Sequence, residues 1–220
     1  MLAIGFFAKL SDDRMGAAKH ELRLRFRELR AALTANESKA LSAQILDRVR
    51  KHPALAGAHC VFSYIAFGRE VDTRPLLAEL LAQGKMVVAP GKDRRLDASR
   101  CFHFLRPNDP LLFAEKPEIE TPDTCDLLEI RDVDLFLVPG IVWDEAGHRI
   151  GFGGGYFDKL LAKRRPGSVA IGLAYDFQVL PALHPDPWDQ PVDFVITEKR
   201  VIETASKRQQ LSQEDDIIRL

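Results

Sequence analysis

Cysteine is scarce in this sequence. Cys60, Cys101 and Cys125 are the only three in 220 residues, and they stand far apart. No CxxC pair and no Cys/His ligand spacing occurs, which argues against a zinc module and a disulfide framework and fits a reducing, cytoplasmic setting. A GxSxG nucleophile elbow is missing, as is the GxxxxGK[ST] phosphate loop. His59, His103, His148 and His184 show no metal or triad spacing. No stretch approaches the ~18 unbroken apolar residues of a membrane helix. Nor does one sign of charge dominate: 31 Lys and Arg stand against 32 Asp and Glu, a net −1. An overall basic field that would gather nucleic acid is therefore lacking. There is no internal repeat and no low-complexity tract. With no long apolar helix face left over, a monomer is the expectation.

What remains has the makings of one globular domain. Residues 1–14 read as a flexible leader, 15–204 as a single domain and 205–220 as a polar tail. Ala17 to Ala32 has helical periodicity in Leu22, Phe26, Leu29 and Leu33. Thr34 and Glu37 form a capping box that opens a helix from Ala35 to Lys51, where Pro53 follows. From His59 the period changes to strand, through Tyr64. Thr73 and Pro75 open a helix that Gly84 closes. Lys85–Ala89, Ser99–Leu105, Val133–Val138, Val169–Leu173 and Phe194–Thr197 read as further strands, and Tyr156–Arg164 as a helix. The proline-rich stretch 106–131 reads as a long loop. Strands alternating with helices predict an α/β fold: three layers, with a mostly parallel, Rossmann-like open sheet flanked by helices. The two N-terminal helices are expected on one face. Ligands of such sheets bind beyond the carboxyl ends of the strands, where Glu70, Pro90 and Pro139-Gly140 fall.

The strongest feature is the run from Arg149 to Asp158, with Gly151, Gly153, Gly154 and Gly155 followed by Tyr156. Glycines let successive backbone amides converge on a bulky anion, and a helix starting at once adds its positive end. Arg149 can form a two-pronged bond to phosphate oxygens, and Asp158 can hold a Mg²⁺ that bridges them. The dinucleotide fingerprint GxGxxG would need glycine at 156, where Tyr156 stands. Lys19 and Arg23, four apart on one helical face, can clamp terminal phosphates. Glu70, past a strand end, can bind the polar edge of a ring, and Asp193 is a candidate second metal ligand. Asp72 and Thr73 are better explained as capping residues.

In this order the pieces resemble the 5-formyltetrahydrofolate cyclo-ligase family. The resemblance runs from about Ala18 to Val201: Lys19-x-x-x-Arg23, Glu70-Val71-Asp72-Thr73, Val138-Pro139-Gly140, Arg149 to Asp158, Gln178, and Val192 to Thr197. It implies a single-domain enzyme that uses ATP, with Mg²⁺, to close the ring of a reduced folate, 5-formyltetrahydrofolate, to 5,10-methenyltetrahydrofolate. Lys19, Arg23, Arg149, Gly151, Gly153, Gly154, Gly155 and Tyr156 would hold ATP. Asp158 and Asp193 would hold Mg²⁺, and Glu70 and Tyr156 would meet the folate. Arg149 and Tyr156 would be the catalytic pair. Three features depart from the pattern: Phe157 replaces a usual second tyrosine, the loop 115–122 differs, and Gly154 stands where some members carry lysine. Two other readings share these residues: a related ATP-dependent enzyme on another amide or pterin-like substrate, and a non-catalytic nucleotide- or folate-binding module.

Overall fold

The structure, a computed structural model, describes residues 12–91, 102–114 and 129–204. The expected C-terminal tail, the first eleven residues of the expected leader and the divergent loop at 115–122 lie outside the described residues.

Helix α1 (Asp12–Ala31) leads into α2 (Ala35–Lys51). The Thr34–Glu37 capping box is formed: the Glu37 amide donates to Thr34 Oγ1 at 3.2 Å and the Thr34 amide to Glu37 Oε2 at 2.8 Å. A short helix, α3 (Pro53–Gly57), follows where Pro53 reads only as a stop in the sequence. The main sheet contains β1 (Cys60–Ser63), β2 (Met86–Pro90), β3 (Phe102–Phe104), β4 (Leu135–Val138), β7 (Val169–Leu173), β9 (Phe194–Ile196) and β10 (Val201–Glu203), with α4 (Arg74–Ala82) between β1 and β2. Its spatial order is β10-β9-β7-β4-β1-β2-β3. The five central strands are parallel, and the edges β3 and β10 are antiparallel.

Alternate side chains of these strands enter two separate cores, as the twofold pleat requires. Val61, Val87, Leu135, Leu137 and Ile171 pack with Ile45, Leu46, Leu76 and Leu80 of α2 and α4. Phe62, Val88, Phe136, Val138 and Ala170 pack on the other face with Leu160 and Leu161 of α5 (Tyr156–Leu161). Burial on both faces explains why the strands read as nearly continuous apolar runs, and it makes three layers.

A second, small sheet lies beyond the carboxyl end of β4. It consists of β5 (Val142–Asp144), antiparallel to β6 (Arg149–Ile150) and parallel to β8 (Val179–Leu180). Strands this short carry too little periodicity to be read from sequence. Helix α1 packs here: Phe26 and Leu22 meet Ile141, Val142 and Ile150. This corrects the expectation that both N-terminal helices share one face of the main sheet. Trp143 fastens the small sheet to the large one. It is fully buried, and a Cβ at Gly140 or Gly172 would stand 2.5 or 2.4 Å from its indole. These two glycines are there for close approach to a ring.

Candidate active site

Strand order reverses between β1 and β4: the chain leaves β1 toward β2 on one side and returns to β4 on the other. In open parallel sheets a crevice forms at such a point beyond the carboxyl ends. Here it is a cavity of about 400 Å³. Pro139 and Gly140 at the end of β4, Arg149 on β6, the glycine run, Lys19 and Arg23 on α1, and Asp158 on α5 all line it.

The glycine loop bridges β6 and α5. Gly153 has φ +102° and Gly155 φ +62°, conformations that L side chains rarely adopt. No atom outside the loop lies within 4 Å of a Cβ placed on Gly151, Gly154 or Gly155, so a ligand can approach the backbone closely. The loop is clipped to α1 by Arg23, whose Nε donates to the Gly151 carbonyl at 2.8 Å. Helix α5 has only six residues, so its dipole is small and the loop amides carry more of the anion-binding capacity.

Arg149 is nearly enclosed, its side chain 4% exposed. Its Nη2 donates to Asp158 Oδ1 and its Nη1 to the Gln190 carbonyl, each at 2.8 Å. The Gln190 amide also donates to Asp158 Oδ1, at 3.1 Å. Burial draws the Arg149 guanidinium down from its usual value, against the opposing pull of Asp158 and Asp189. Lys19 Nζ donates to Asp186 at 2.7 Å and to Asp189 at 2.9 Å. Burial pulls this ammonium down too, but the bonds to Asp186 and Asp189 outweigh it and hold it above its ordinary value. Lys19 is thus charged at neutral pH, Arg149 stays protonated as guanidinium groups do in proteins, and both have carboxylates as counterions.

Asp186, Trp188 and Asp189 also line the cavity. They were not singled out from the sequence, although a turn with acids three apart in His184-Pro-Asp-Pro-Trp-Asp-Gln190 is a usable signal. Tyr156 lines the cavity as the first residue of α5, its ring 5.2 Å from that of Phe157. Phe157 reaches the Phe62 ring of the core at 6.0 Å and has Arg149 Cζ 5.9 Å from its centroid. A hydroxyl at that apolar position would need a partner.

Two predicted site residues stand apart from the cavity lining. Asp193 is buried at the start of β9. It accepts two bonds from Arg164, one of them 3.0 Å long, and one from the Ala170 amide at 2.7 Å. Its carboxylate therefore joins β7, β9 and the turn after α5, and the acids that line the cavity are Asp158, Asp186 and Asp189. Among the described residues no group of three or more His, Cys, Asp or Glu is gathered as a ready-made metal cage.

Glu70 is buried after β1, its Oε1 3.8 Å from Arg30 Nη1 and its Oε2 3.3 Å from the Phe67 amide. It borders a second cavity, of about 420 Å³, beside α2. Burial pushes its carboxyl up to about 7, although Arg30 and the Phe67 amide pull it down. Its link to the glycine loop is aromatic: Phe67 lies 5.6 Å from Phe152, and Arg30 Cζ lies 6.0 Å from the Phe152 centroid. Gln178, another sequence candidate, is structural. It is buried and donates to the Ile141 carbonyl at 2.8 Å, fixing the crossing from β4 to β5. The buried Cys60 thiol is pushed up to about 12 by burial, with Asp134 and Asp132 adding to the effect, and is inert as a nucleophile. None of the described helices is long and apolar enough to cross a membrane.

Known proteins are similar to this chain in sequence and fold. The sequence profile of the 5-formyltetrahydrofolate cyclo-ligase family matches residues 15–198. The 5-formyltetrahydrofolate cyclo-ligase of Escherichia coli K12 is 30% identical over 180 residues, 80% of this chain and 98% of that one. The mouse (Mus musculus) protein of the same name is 25% identical over 197 residues, 84% and 95% of the two chains. The solved structure of Aquifex aeolicus 5,10-methenyltetrahydrofolate synthetase superposes with a TM-score of 0.69 at 32% identity, covering 85% of this chain and 93% of that one. A profile match across nearly the whole described fold, and relatives aligned almost end to end, make this chain a member of the 5-formyltetrahydrofolate cyclo-ligase family.

Proposed function

We propose that this chain is an ATP-dependent ligase that converts 5-formyltetrahydrofolate to 5,10-methenyltetrahydrofolate, releasing ADP and phosphate. Family membership supports the reaction. The observation that carries the site assignment is the convergence of the open glycine loop, Lys19, Arg23 and Arg149 on one cavity.

The chemistry suits those groups. The formyl oxygen is amide-like and leaves poorly. Its attack on the γ-phosphorus forms a P–O bond as the bond to the ADP oxygen breaks, giving an O-phosphorylated iminium. The neighbouring amine nitrogen then attacks the formyl carbon and loses its proton, and the C–O bond breaks as inorganic phosphate departs. Phosphoryl transfer needs positioning and charge neutralisation more than a protein nucleophile. The loop amides cradle the phosphate oxygens, Arg149 offers them its fork, and Lys19 moves from its carboxylates to the terminal phosphate. Tyr156 sits at the junction between this loop and α5, in reach of the reacting groups. Glu70, an acceptor when ionised, takes donors from the pterin edge, with Phe67 and Phe152 between it and the phosphates.

Magnesium fits the donor set, because it takes oxygen ligands and is held by one or two carboxylates together with substrate phosphates. Asp158 and Asp189 face the cavity and would hold it. Bound there, it would neutralise phosphate charge. Asp193 stands off the cavity lining, its carboxylate bonded to Arg164 and the Ala170 amide, and is left out of that set. The cytoplasm, where ATP and reduced folates are both soluble, is the setting this reading favours.

The decisive measurement mixes the protein with 5-formyltetrahydrofolate and Mg-ATP. Methenyltetrahydrofolate absorbance should rise with one ADP formed per turnover. Folded protein that yields no absorbance change, or that forms ADP only with other substrates, would overturn the assignment.

A further inference from the structure

The segment from Glu70 to Thr73 belongs to neither sheet, yet it is largely buried. Its backbone groups therefore need partners from outside a strand ladder, and side-chain hydroxyls supply them. Tyr175 donates to the Glu70 carbonyl at 3.2 Å, and Tyr64, just past β1, donates to the Val71 carbonyl at 2.8 Å. The Asp72 amide donates to Ser42 Oγ of α2 at 3.0 Å, and Thr73 Oγ1 donates to the Tyr64 carbonyl at 2.9 Å. The Glu70 side chain is held less firmly. Its carboxylate has the Phe67 amide at 3.3 Å and Arg30 at 3.8 Å, both longer than a strong charge-assisted hydrogen bond. Its direction therefore depends on where the backbone of residue 70 is placed.

Tyr175 places it from a distance of 105 positions in the chain, at the carboxyl end of β7. Its ring is fully buried and stacks on Phe177 at 5.7 Å. The Tyr175 amide donates to Gln178 Oε1 at 2.9 Å and its carbonyl accepts from the Gln178 amide at 2.8 Å, which fixes where the ring points. A carbonyl only accepts, so the single phenol proton is committed to Glu70. Ser38 Oγ, 2.9 Å from the phenol oxygen, must then be the donor of that pair. Phenylalanine would fill the same core volume without the cost of burying a hydroxyl. What the hydroxyl adds is a bridge between α2, the end of β7 and the Glu70 segment.

We infer that Tyr175 is a positioning residue for the folate: by holding the Glu70 carbonyl it aims the Glu70 carboxylate, without itself touching substrate. This deepens the reading of Glu70 as the acceptor for the pterin edge and rests on it. Glu70 grips that edge, away from the reacting formyl group, both before and during ring closure. A carboxylate out of aim thus loses binding that the ground state and the transition state share, which raises KM and leaves kcat in place.

The test measures initial rates of the full chain over a range of 5-formyltetrahydrofolate and Mg-ATP concentrations, with a thermal melt of each variant. Tyr175→Phe keeps the ring and its stack and removes the hydroxyl alone. It should raise the folate KM about 2- to 13-fold, the worth of one hydrogen bond. Its kcat and its KM for ATP should change less than about twofold. Val195→Ala loosens the core on the opposite face of the sheet. It should lower Tm and leave the folate KM where it is. In a Glu70→Ala chain, Tyr175→Phe should add nothing further to the folate KM, because the group it aims is gone. Glu70→Gln takes that place if the alanine chain does not melt cooperatively. Three results would each overturn the positioning role alone: an unchanged folate KM in Tyr175→Phe, an equal rise with and without the Glu70 carboxylate, or an equal rise in Val195→Ala. A folate KM that does not move when Glu70 itself is replaced would instead refute the pterin contact, and the role of Tyr175 with it.

Discussion

Replacing Arg149 by alanine separates a phosphate-binding role from a structural one, because the two losses differ in size. The side chain makes two 2.8 Å bonds, to Asp158 and to the Gln190 carbonyl. Truncation leaves Asp158 with its 3.1 Å bond from the Gln190 amide, and its side chain, 23% exposed, can take water in place of the guanidinium. The unpaired carbonyl and weakened carboxylate should cost about 1–3 kcal/mol. For a chain of this length that is a fall in Tm of about 2–12 °C. The catalytic loss should be larger. An arginine that stabilises charge on a transferring phosphoryl group is worth about 10³–10⁵ in rate, or about 4–7 kcal/mol of barrier. Arg149→Lys keeps the charge and loses the fork. It should sit between, about 10- to 150-fold down for one charged hydrogen bond of about 1.5–3 kcal/mol. The assay is initial rate of methenyltetrahydrofolate formation at saturating Mg-ATP, with a thermal melt of each variant. A melt-competent Arg149→Ala chain that keeps a tenth or more of the native rate would refute the role assigned to this residue.

Asp193→Asn should lose about 3 kcal/mol or more of stability in urea melts, since it breaks a buried charge pair with Arg164, while the magnesium concentration for half-maximal rate stays put. Asp158→Asn should raise that concentration. Gly172→Ala would drive a Cβ to 2.4 Å from the Trp143 indole. It should cost about 1–3 kcal/mol, and Trp143→Phe in the same chain should recover part, giving a non-additive cycle. Glu70, pushed up to about 7 by burial, binds its proton more tightly in the folded chain than in the unfolded one. Its contribution to stability is therefore present below about pH 4.5 and lost as pH rises through about 7, by up to about 3 kcal/mol. Denaturant melts at pH 5 and 8 should show this drop in the native chain and not in Glu70→Gln. The kcat/KM for the folate should rise over the same interval, because the ionised form accepts pterin donors, and Glu70→Gln should flatten that step.

The sequence by itself determined the features set by neighbours in the chain. The α2 boundaries follow from Thr34 and Glu37, and the parallel sheet from apolar runs alternating with helical spacing. The open glycine loop follows from four glycines between Arg149 and Asp158, because glycine's backbone freedom is a local property. Tertiary structure alone decided which distant acid faces the cavity. Asp193 and Asp189 are equally acidic and only four residues apart, yet Arg164 and the Ala170 amide hold one while the other meets Lys19 across 170 positions of chain. It also decided that Glu70 is buried beside Arg30 rather than solvated in a loop, and that Trp188 stands at the cavity mouth. A carboxylate's role depends on its desolvation and on the charge it meets. Both are set by packing between segments far apart in sequence, which no local pattern records.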